Sequence, residues 1–342
     1  MLLEQERETK IRFCQNDDIE SLMVQFQGWK LFDRGRAYLD WFTNFQSPEN
    51  IFLLACLDDT VIGYYAAIRS WLKVGDKITK AYYGPIFVRP DCRKKRYSFL
   101  TLSHLVKKLV DEGICRQSVF YGFPNPRLGF YSNHANHTQS IKLIPRYVYF
   151  LRTAFFFGKL LKEKIAGTHI KDVTVKEIDF FDERFNDLWE RASKNYPIIA
   201  VRNTEYLNWR YIKEPNGQYV IFTAEKNNVL EGYMILKPPN SKNQGEGGIV
   251  IDLFDTKDKS VTKALLLQAI EYFRNRRTRQ IEFYVSDDYY EEALRSLGFL
   301  KKDGRPGVVD RLVARCGSKS IDENYLYNPK HWFINTADML LS

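Results

Sequence analysis

One order of elements runs through this chain twice, about 165 residues apart, and that repetition limits the possible folds more than any composition figure does. In the first pass, apolar patterning predicts strands over 11–14, 51–57, 61–74, 78–88 and 118–123, and a last strand over 141–152. Ile19, Leu22, Met23 and Phe26 have helical spacing and predict a helix over 17–27; Leu102, Leu105, Val106 and Leu109 predict another over 98–110. Asp58-Asp59-Thr60 and Gly75-Asp76 are turn signals that join three of the strands into hairpins. The second pass predicts strands over 173–177, 219–224, 231–237, 249–254, 281–285 and 308–314. Its helices are expected over 180–192, 204–212, 261–274 and 289–297. The repeat lies in pattern, not in identical residues. It predicts an α/β (α+β) chain of two domains, residues 1–153 and 172–342, joined by a linker over 154–171.

A length of 342 residues suits two domains at roughly 100–200 residues each. Hydrophobic residues at 44% and charged residues at 27% exclude a disordered chain, a collagen-like repeat and a coiled-coil rod. No uncharged apolar run approaches the roughly 20 residues that cross a bilayer. Cys14, Cys56, Cys92, Cys115 and Cys316 are odd in number, scattered and without a CxxC pair, which argues against a disulfide framework or a zinc site. The N-terminus, MLLEQERETK, is charged where a signal peptide is apolar. A cytoplasmic protein with no metal is expected.

The net charge of +9 belongs to the first half. Residues 1–165 carry 25 Lys and Arg against 16 Asp and Glu, whereas residues 166–342 carry 26 of each. A field confined to one half predicts an anionic partner there. Its densest part is Arg93-Lys94-Lys95-Arg96, which follows the strand over 78–88 and the breaker Pro90-Asp91 and leads through Tyr97 and Ser98 into a helix. A strand, a tight basic turn and a helix start make an anion cradle. The first amides of a helix lack partners and point outward, so a diphosphate can accept from them, and flanking Lys and Arg add charge-assisted bonds. An ordinary solvated turn is the competing reading.

With these residues the sequence resembles the GNAT acyltransferase superfamily, whose members use acyl-CoA as donor. The family's fourth strand carries a V-x-P-x-x-R/Q-x-x-G-x-G/A signature into a helix, and Val88-Arg89-Pro90-Asp91-Cys92-Arg93-Lys94-Lys95-Arg96-Tyr97-Ser98 lines up with it. Arg96 and Ser98 stand where the signature has glycines. Val119-Phe120-Tyr121-Gly122-Phe123-Pro124-Asn125 resembles the fifth strand with the Asn that follows it, and Tyr131 falls near the family's tyrosine general acid. In the second pass, Ala293-Leu294-Arg295-Ser296-Leu297-Gly298-Phe299 resembles the closing helix, with Leu294 in the tyrosine's place. The run Asp255-Thr256-Lys257-Asp258-Lys259-Ser260 has neither the glycines nor the Arg/Gln. The resemblance spans about residues 10–150 and 172–316 and is nearest to two-copy GNAT-like proteins, including those found with bacterial surface-polysaccharide genes. It implies two tandem domains, each a mixed, mostly antiparallel twisted sheet flanked by helices, with a splayed strand pair at the cofactor site. The second copy would be degenerate. The co-substrate implied is acetyl-CoA or another acyl-CoA, held by Phe87, Val88, Arg93, Lys94, Lys95, Arg96, Tyr97, Ser98 and Asn125.

Transfer from a thioester to an amine needs a fixed donor, a hydrogen bond to the thioester oxygen and a proton for the leaving thiolate. The backbone of Val88 would serve the oxygen and Tyr131 the thiolate. No covalent intermediate is required, in keeping with a sequence that shows no Ser/His/Asp or Cys/His set. His134, with His137 close by, is a candidate base through its near-neutral pKa. Cys92 reads as a passive thiol. Trp209, Arg210 and Tyr211, and Asp252 on a later strand, are candidates to line the acceptor groove. The acceptor expected is a small primary amine, such as an amino sugar or an amino acid. The apolar and basic stretch over 154–165 suits either a membrane surface or packing between domains. Two other functions fit: a Fem-type peptidyltransferase taking aminoacyl-tRNA, whose phosphates the basic half would meet, or an inactive GNAT-like binding protein. Outside the tRNA alternative no nucleic acid is expected.

Overall fold

The structure is a computed structural model that describes residues 9–25, 34–44, 50–58, 60–92, 104–105, 107–108, 118–124, 138–151, 170, 172–239, 247–302 and 311–339. In chain order the strands are β1 (Thr9–Phe13), β2 (Ile51–Leu57), β3 (Thr60–Val74), β4 (Lys77–Tyr83), β5 (Ile86–Val88), β6 (Val119–Gly122), β7 (Gln139–Leu143) and β8 (Arg146–Phe150). Then follow β9 (Val173–Ile178), β10 (Ile198–Ala200), β11 (Val220–Lys226), β12 (Val229–Lys237), β13 (Gly248–Asp255), β14 (Gln280–Tyr284), β15 (Leu300–Lys302) and β16 (Arg311–Cys316). The helices are α1 (Asp18–Gln25), α2 (Arg36–Asn44), α3 (Arg184–Ala192), α4 (Thr204–Leu207), α5 (Lys259–Asn275), α6 (Asp288–Ser296), α7 (Glu323–Tyr327) and α8 (Thr336–Met339). Among the described residues no helix is long and apolar enough to cross a membrane.

Two sheets repeat one strand order. The first runs β1-β2-β3-β4-β6-β16-β7 and the second β9-β11-β12-β13-β14-β8-β15. Each is antiparallel except for one central parallel pair, β4 with β6 and β13 with β14. The sixth place of each sheet is filled from the other half of the chain. β16 enters the first sheet between β6 and β7, and β8 enters the second between β14 and β15. The single strand expected over 141–152 is therefore corrected to two strands in two sheets, broken at Ile144-Pro145. Proline lacks the amide that would continue the ladder. A division at residue 153 leaves each sheet dependent on a strand from the other side of the cut. The expected linker over 154–171 lies, apart from residue 170, outside the described residues.

β3 is the spine of the first sheet. Its 15 residues reach β2 on one edge through 60–67, and β5 and then β4 on the other. β10 extends the β2 edge at Leu72–Val74. The tail joins there as well: the Ile198 amide donates to the His331 carbonyl at 2.9 Å and the Phe333 amide to the Ile198 carbonyl at 2.9 Å. Lys142 on β7 clamps the tail to the second half, its ammonium donating to the carbonyls of Pro329, Trp332 and Ser286 at 2.7, 3.0 and 3.2 Å.

Among the buried charges of the second half, Asp255 lies fully buried at the end of β13. Its carboxylate accepts from the Lys257 amide (2.8 Å), Thr262 (2.8 Å) and Tyr290 (3.2 Å). Burial nonetheless pushes this carboxyl up to about 6. The folded state thus holds a proton that the unfolded chain has released near pH 4, so stability falls as pH rises from about 4 to 6 and is level above. Asp255→Asn is expected to remove that slope. Between pH 4 and 7 the variant gains roughly 2–3 kcal/mol on the parent in denaturant unfolding; a parallel pair of stability–pH curves would contradict this.

Candidate active site

The site forms where two strands part. β4 and β6 pair in parallel only at Ala81↔Val119 and Tyr82↔Phe120. Beyond Tyr83 the chain bulges at Gly84-Pro85, the Ala66 amide donates to the Pro85 carbonyl at 3.0 Å, and β5 settles on β3 at Tyr65↔Ile86, Tyr64↔Phe87 and Gly63↔Val88. Gly84 has φ +155, and a Cβ there would overlap the Ala66 carbonyl oxygen. The bulge needs glycine for both reasons. The Arg89 amide donates to the Ile62 carbonyl at 2.8 Å. Amides alternate sides along a strand, so the Val88 amide faces away from β3, toward the gap.

Alternation also separates the tyrosines. Tyr82 stacks on Phe120 on one face (5.2 Å) and Tyr83 lies beside Tyr121 on the other (5.5 Å). On the Tyr83 face is a pocket with about 10 Å³ of interior room, space for one water-sized group. Ser70, Trp71, Tyr83, Tyr121, Ala200, Val201, Asn203 and Tyr206 line it. None of these side chains is charged at neutral pH. The Ser70 hydroxyl and the Tyr83 phenol are buried without a hydrogen-bond partner. Burial, then Tyr206 and Tyr121, hold the Tyr83 phenol far above its ordinary pKa, and burial takes Tyr206 to about 12. Both stay protonated and can donate.

The opposite wall comes from the second half. Asn203 caps α4 by accepting from the Tyr206 amide at 2.9 Å. After Leu207 the helix widens into a π turn, Asn208–Ile212, which buries Trp209, Arg210 and Tyr211. Such turns recur at functional sites. Trp209 stacks on Trp41 of α2 at 4.8 Å, and each indole donates to the other's carbonyl, at 2.9 and 3.3 Å. The Arg210 guanidinium donates to Glu214 at 2.6 Å and Tyr219 at 3.3 Å. Tyr211 donates to Asp252 at 3.3 Å.

Asp252 is fully buried and faces no open cleft. It accepts from Asn335 (2.7 Å), Tyr233 (3.0 Å) and both sides of the Arg202 contact (3.3 Å). Arg202 also donates to Asp338 of the tail at 2.9 Å and to the Ala200 carbonyl at 2.9 Å. Asp252 therefore ties the tail to β13 directly beneath the pocket-lining Ala200 and Val201.

Of the residues singled out by sequence, Phe87 and Val88 lie on β5 at the gap, with Phe87 stacked on Tyr64 at 5.7 Å. Trp209, Arg210 and Tyr211 lie buried in the π turn after α4, beyond the pocket-lining Tyr206, and do not themselves line the pocket. Arg93, Lys94, Lys95, Arg96, Tyr97, Ser98, Asn125, Tyr131, His134 and His137 lie outside the described residues. Burial raises the Cys92 thiol, so it is a poor nucleophile. Among the described residues no three His, Cys, Asp or Glu side chains gather to hold a metal ion. At the second parallel pair, Asp258 occupies the start of α5, accepting from the Ser260 and Val261 amides at 2.8 and 3.3 Å. Burial alone would raise its carboxyl; Lys226 and Ser260 hold it at about 2. That helix start is filled by the chain's own carboxylate rather than open to an anion. Sequence reasoning missed Ser70, Tyr83, Asn203, Tyr206 and Trp41; the only signal was a tyrosine directly before Gly-Pro within a strand.

Residues 17–132 match the acetyltransferase (GNAT) family. Among solved structures, a GCN5-related N-acetyltransferase from Anabaena variabilis is similar over 91% of this chain and 73% of its own, at 10% identity and TM-score 0.63. A conserved protein of unknown function from Enterococcus faecalis, described as a probable N-acyltransferase, covers 91% and 73% at 11% identity and TM-score 0.60. Saccharomyces cerevisiae N-myristoyltransferase with bound myristoyl-CoA covers 94% and 87% at 12% identity and TM-score 0.55. No curated protein matches the sequence.

Proposed function

The chain carries a GNAT-family acetyltransferase domain within a fold shared with N-acyltransferases, and from that premise we propose that it transfers an acyl group from acyl-CoA to a primary amine. The parting of β5 from β6 above an uncharged pocket carries this reading. The acyl-CoA thioester lies in the gap, its carbonyl oxygen on the Val88 amide. The basic turn of Arg93, Lys94, Lys95 and Arg96 with Tyr97, Ser98 and Asn125 holds the diphosphate end. The amine enters from the Trp209 side. Its nitrogen bonds to the thioester carbon, the carbon–sulfur bond breaks, and the thiolate takes a proton, with Tyr131 as the acid and His134 as the base that relieves the new ammonium.

Ser70 and Tyr83 position the amine in this scheme. A buried hydroxyl without a partner costs about 1–3 kcal/mol, so two at one pocket ask for a ligand. Tyr83→Phe and Ser70→Ala are expected to keep or raise the unfolding midpoint while lowering kcat/KM by about tenfold or more. The assay is release of free CoA thiol from acetyl-CoA and longer acyl-CoA against a panel of primary amines. No release with any pairing would overturn the function; full activity in both variants would remove the pocket from it.

A further inference from the structure

Past Tyr206, the wall of the site ends in a group of charges that do not balance. Arg210 is 2% exposed, and its Nε is buried with no partner. Glu214, nearly as buried, bonds Arg210 at 2.6 Å and meets Arg34 at 3.6 Å. Lys237, at the end of β12, holds its ammonium 5.7 Å over the Tyr219 ring and pairs with no carboxylate among the described residues. Arg34 lies 4.5 Å over Tyr38. Among the described residues three cations thus share one carboxylate. Burial presses hardest against the Lys237 charge; Glu214 supports it, and Arg34 and Arg210 oppose it.

An excess of positive charge over a buried ion pair is unfavourable. An arriving anion would offset it. The cations also reach outward: Arg34 is exposed and Lys237 half-buried, while Arg210 lies beneath them. Tyr206, which lines the uncharged pocket, stands 5.7 Å from the Trp209 ring, and Arg210 is the next residue of the same π turn, so this cluster adjoins the pocket. Resting on the acyltransferase reading, we propose that the acceptor carries an anionic group, a carboxylate or a phosphate, that docks on Lys237 and Arg34 over Arg210 while its amine enters the Tyr83 pocket. Neutral amines then lack the second anchor.

The experiment has two parts. Acyl transfer is compared between alanine and alaninamide, and between glucosamine 6-phosphate and glucosamine, which separates carboxylate from phosphate as the source of the charge. One anionic member is expected to exceed its neutral counterpart, and Lys237→Met and Arg34→Gln are expected to raise its KM about tenfold while leaving the neutral KM within about twofold. Equal kcat/KM within both pairs, or equal losses for charged and neutral acceptors, would overturn the proposal. Inorganic phosphate titrated calorimetrically into the protein, without acyl-CoA, supplies a readout free of activity. If no acceptor is acylated, the acyltransferase reading falls. Phosphate binding that weakens in Lys237→Met, at an unchanged unfolding midpoint, would still uphold the anion site; absence of binding would end it.

Discussion

Replacing Arg202 with methionine is expected to remove about 3–5 kcal/mol of stability. The side chain is 1% exposed and lies between two buried carboxylates, Asp252 and Asp338. Burial opposes its charge, and the two carboxylates more than restore it. Without the cation, Asp252 keeps donors from Tyr233, Tyr211 and Asn335, but Asp338 keeps only the Asn335 amide at 3.0 Å. Methionine fills the space and leaves one carboxylate poorly matched; protonating it is the cheapest escape, so the loss should shrink at low pH. Lysine restores a charge but not the planar fork that reaches both carboxylates, and an intermediate loss is expected. Denaturant unfolding at two pH values measures this. A loss under about 1 kcal/mol at neutral pH would show that the Arg202 ion pairs do not hold the tail.

Gly84→Ala is the second large effect. The residue sits at φ +155, and a methyl group there meets the Ala66 carbonyl, a backbone atom that cannot swing aside. Strain of about 1–3 kcal/mol is expected from the conformation alone, before the overlap is relieved. The only relief is to move Pro85–Val88 off β3, which carries the Val88 amide away from the thioester. Acyl transfer should therefore fall below detection along with a loss of stability of about 2–4 kcal/mol. Gly122 is the control for stability, since a Cβ there meets nothing within 4 Å. A Gly84→Ala protein as active as its parent would remove the bulge from the mechanism.

Local pattern made much of the fold legible. The hairpin of β2 and β3 follows from alternation around Asp58, which adopts the positive φ of 53 that such a turn needs. The hairpin of β11 and β12 likewise turns on Asn227 and Asn228, at φ 52 and 62. Long apolar spacing gave α5 almost entire. What local pattern did not reveal is partner choice. Nothing within 139–150 says that β7 and β8 belong to different sheets; that depends on Tyr147 and Tyr149 finding β14 and β15 far along the chain. α2 is too short for its Tyr38, Leu39 and Phe42 spacing to stand out, and β10 is only three residues. For the site, Trp209, Arg210 and Tyr211 drew notice as a cluster of large side chains. Tyr83 and Ser70 did not, because only the register of β3, β4 and β6 shows which strand residues share a pocket. Asp252 shows the reverse: a carboxylate singled out in sequence for the groove is fully buried and bonded to Tyr211, Tyr233 and Asn335.

The exchange of β8 for β16 sets a timetable for this chain as it is made. When β7 ends at Leu143, β6 is already made, but the strand that belongs between them begins only at Arg311, more than 150 residues further on. The nascent sheet must wait with a slot open between β6 and β7, exposed to whatever else offers a strand. Assembly can finish only after β15 and β16 have been made and knit both sheets.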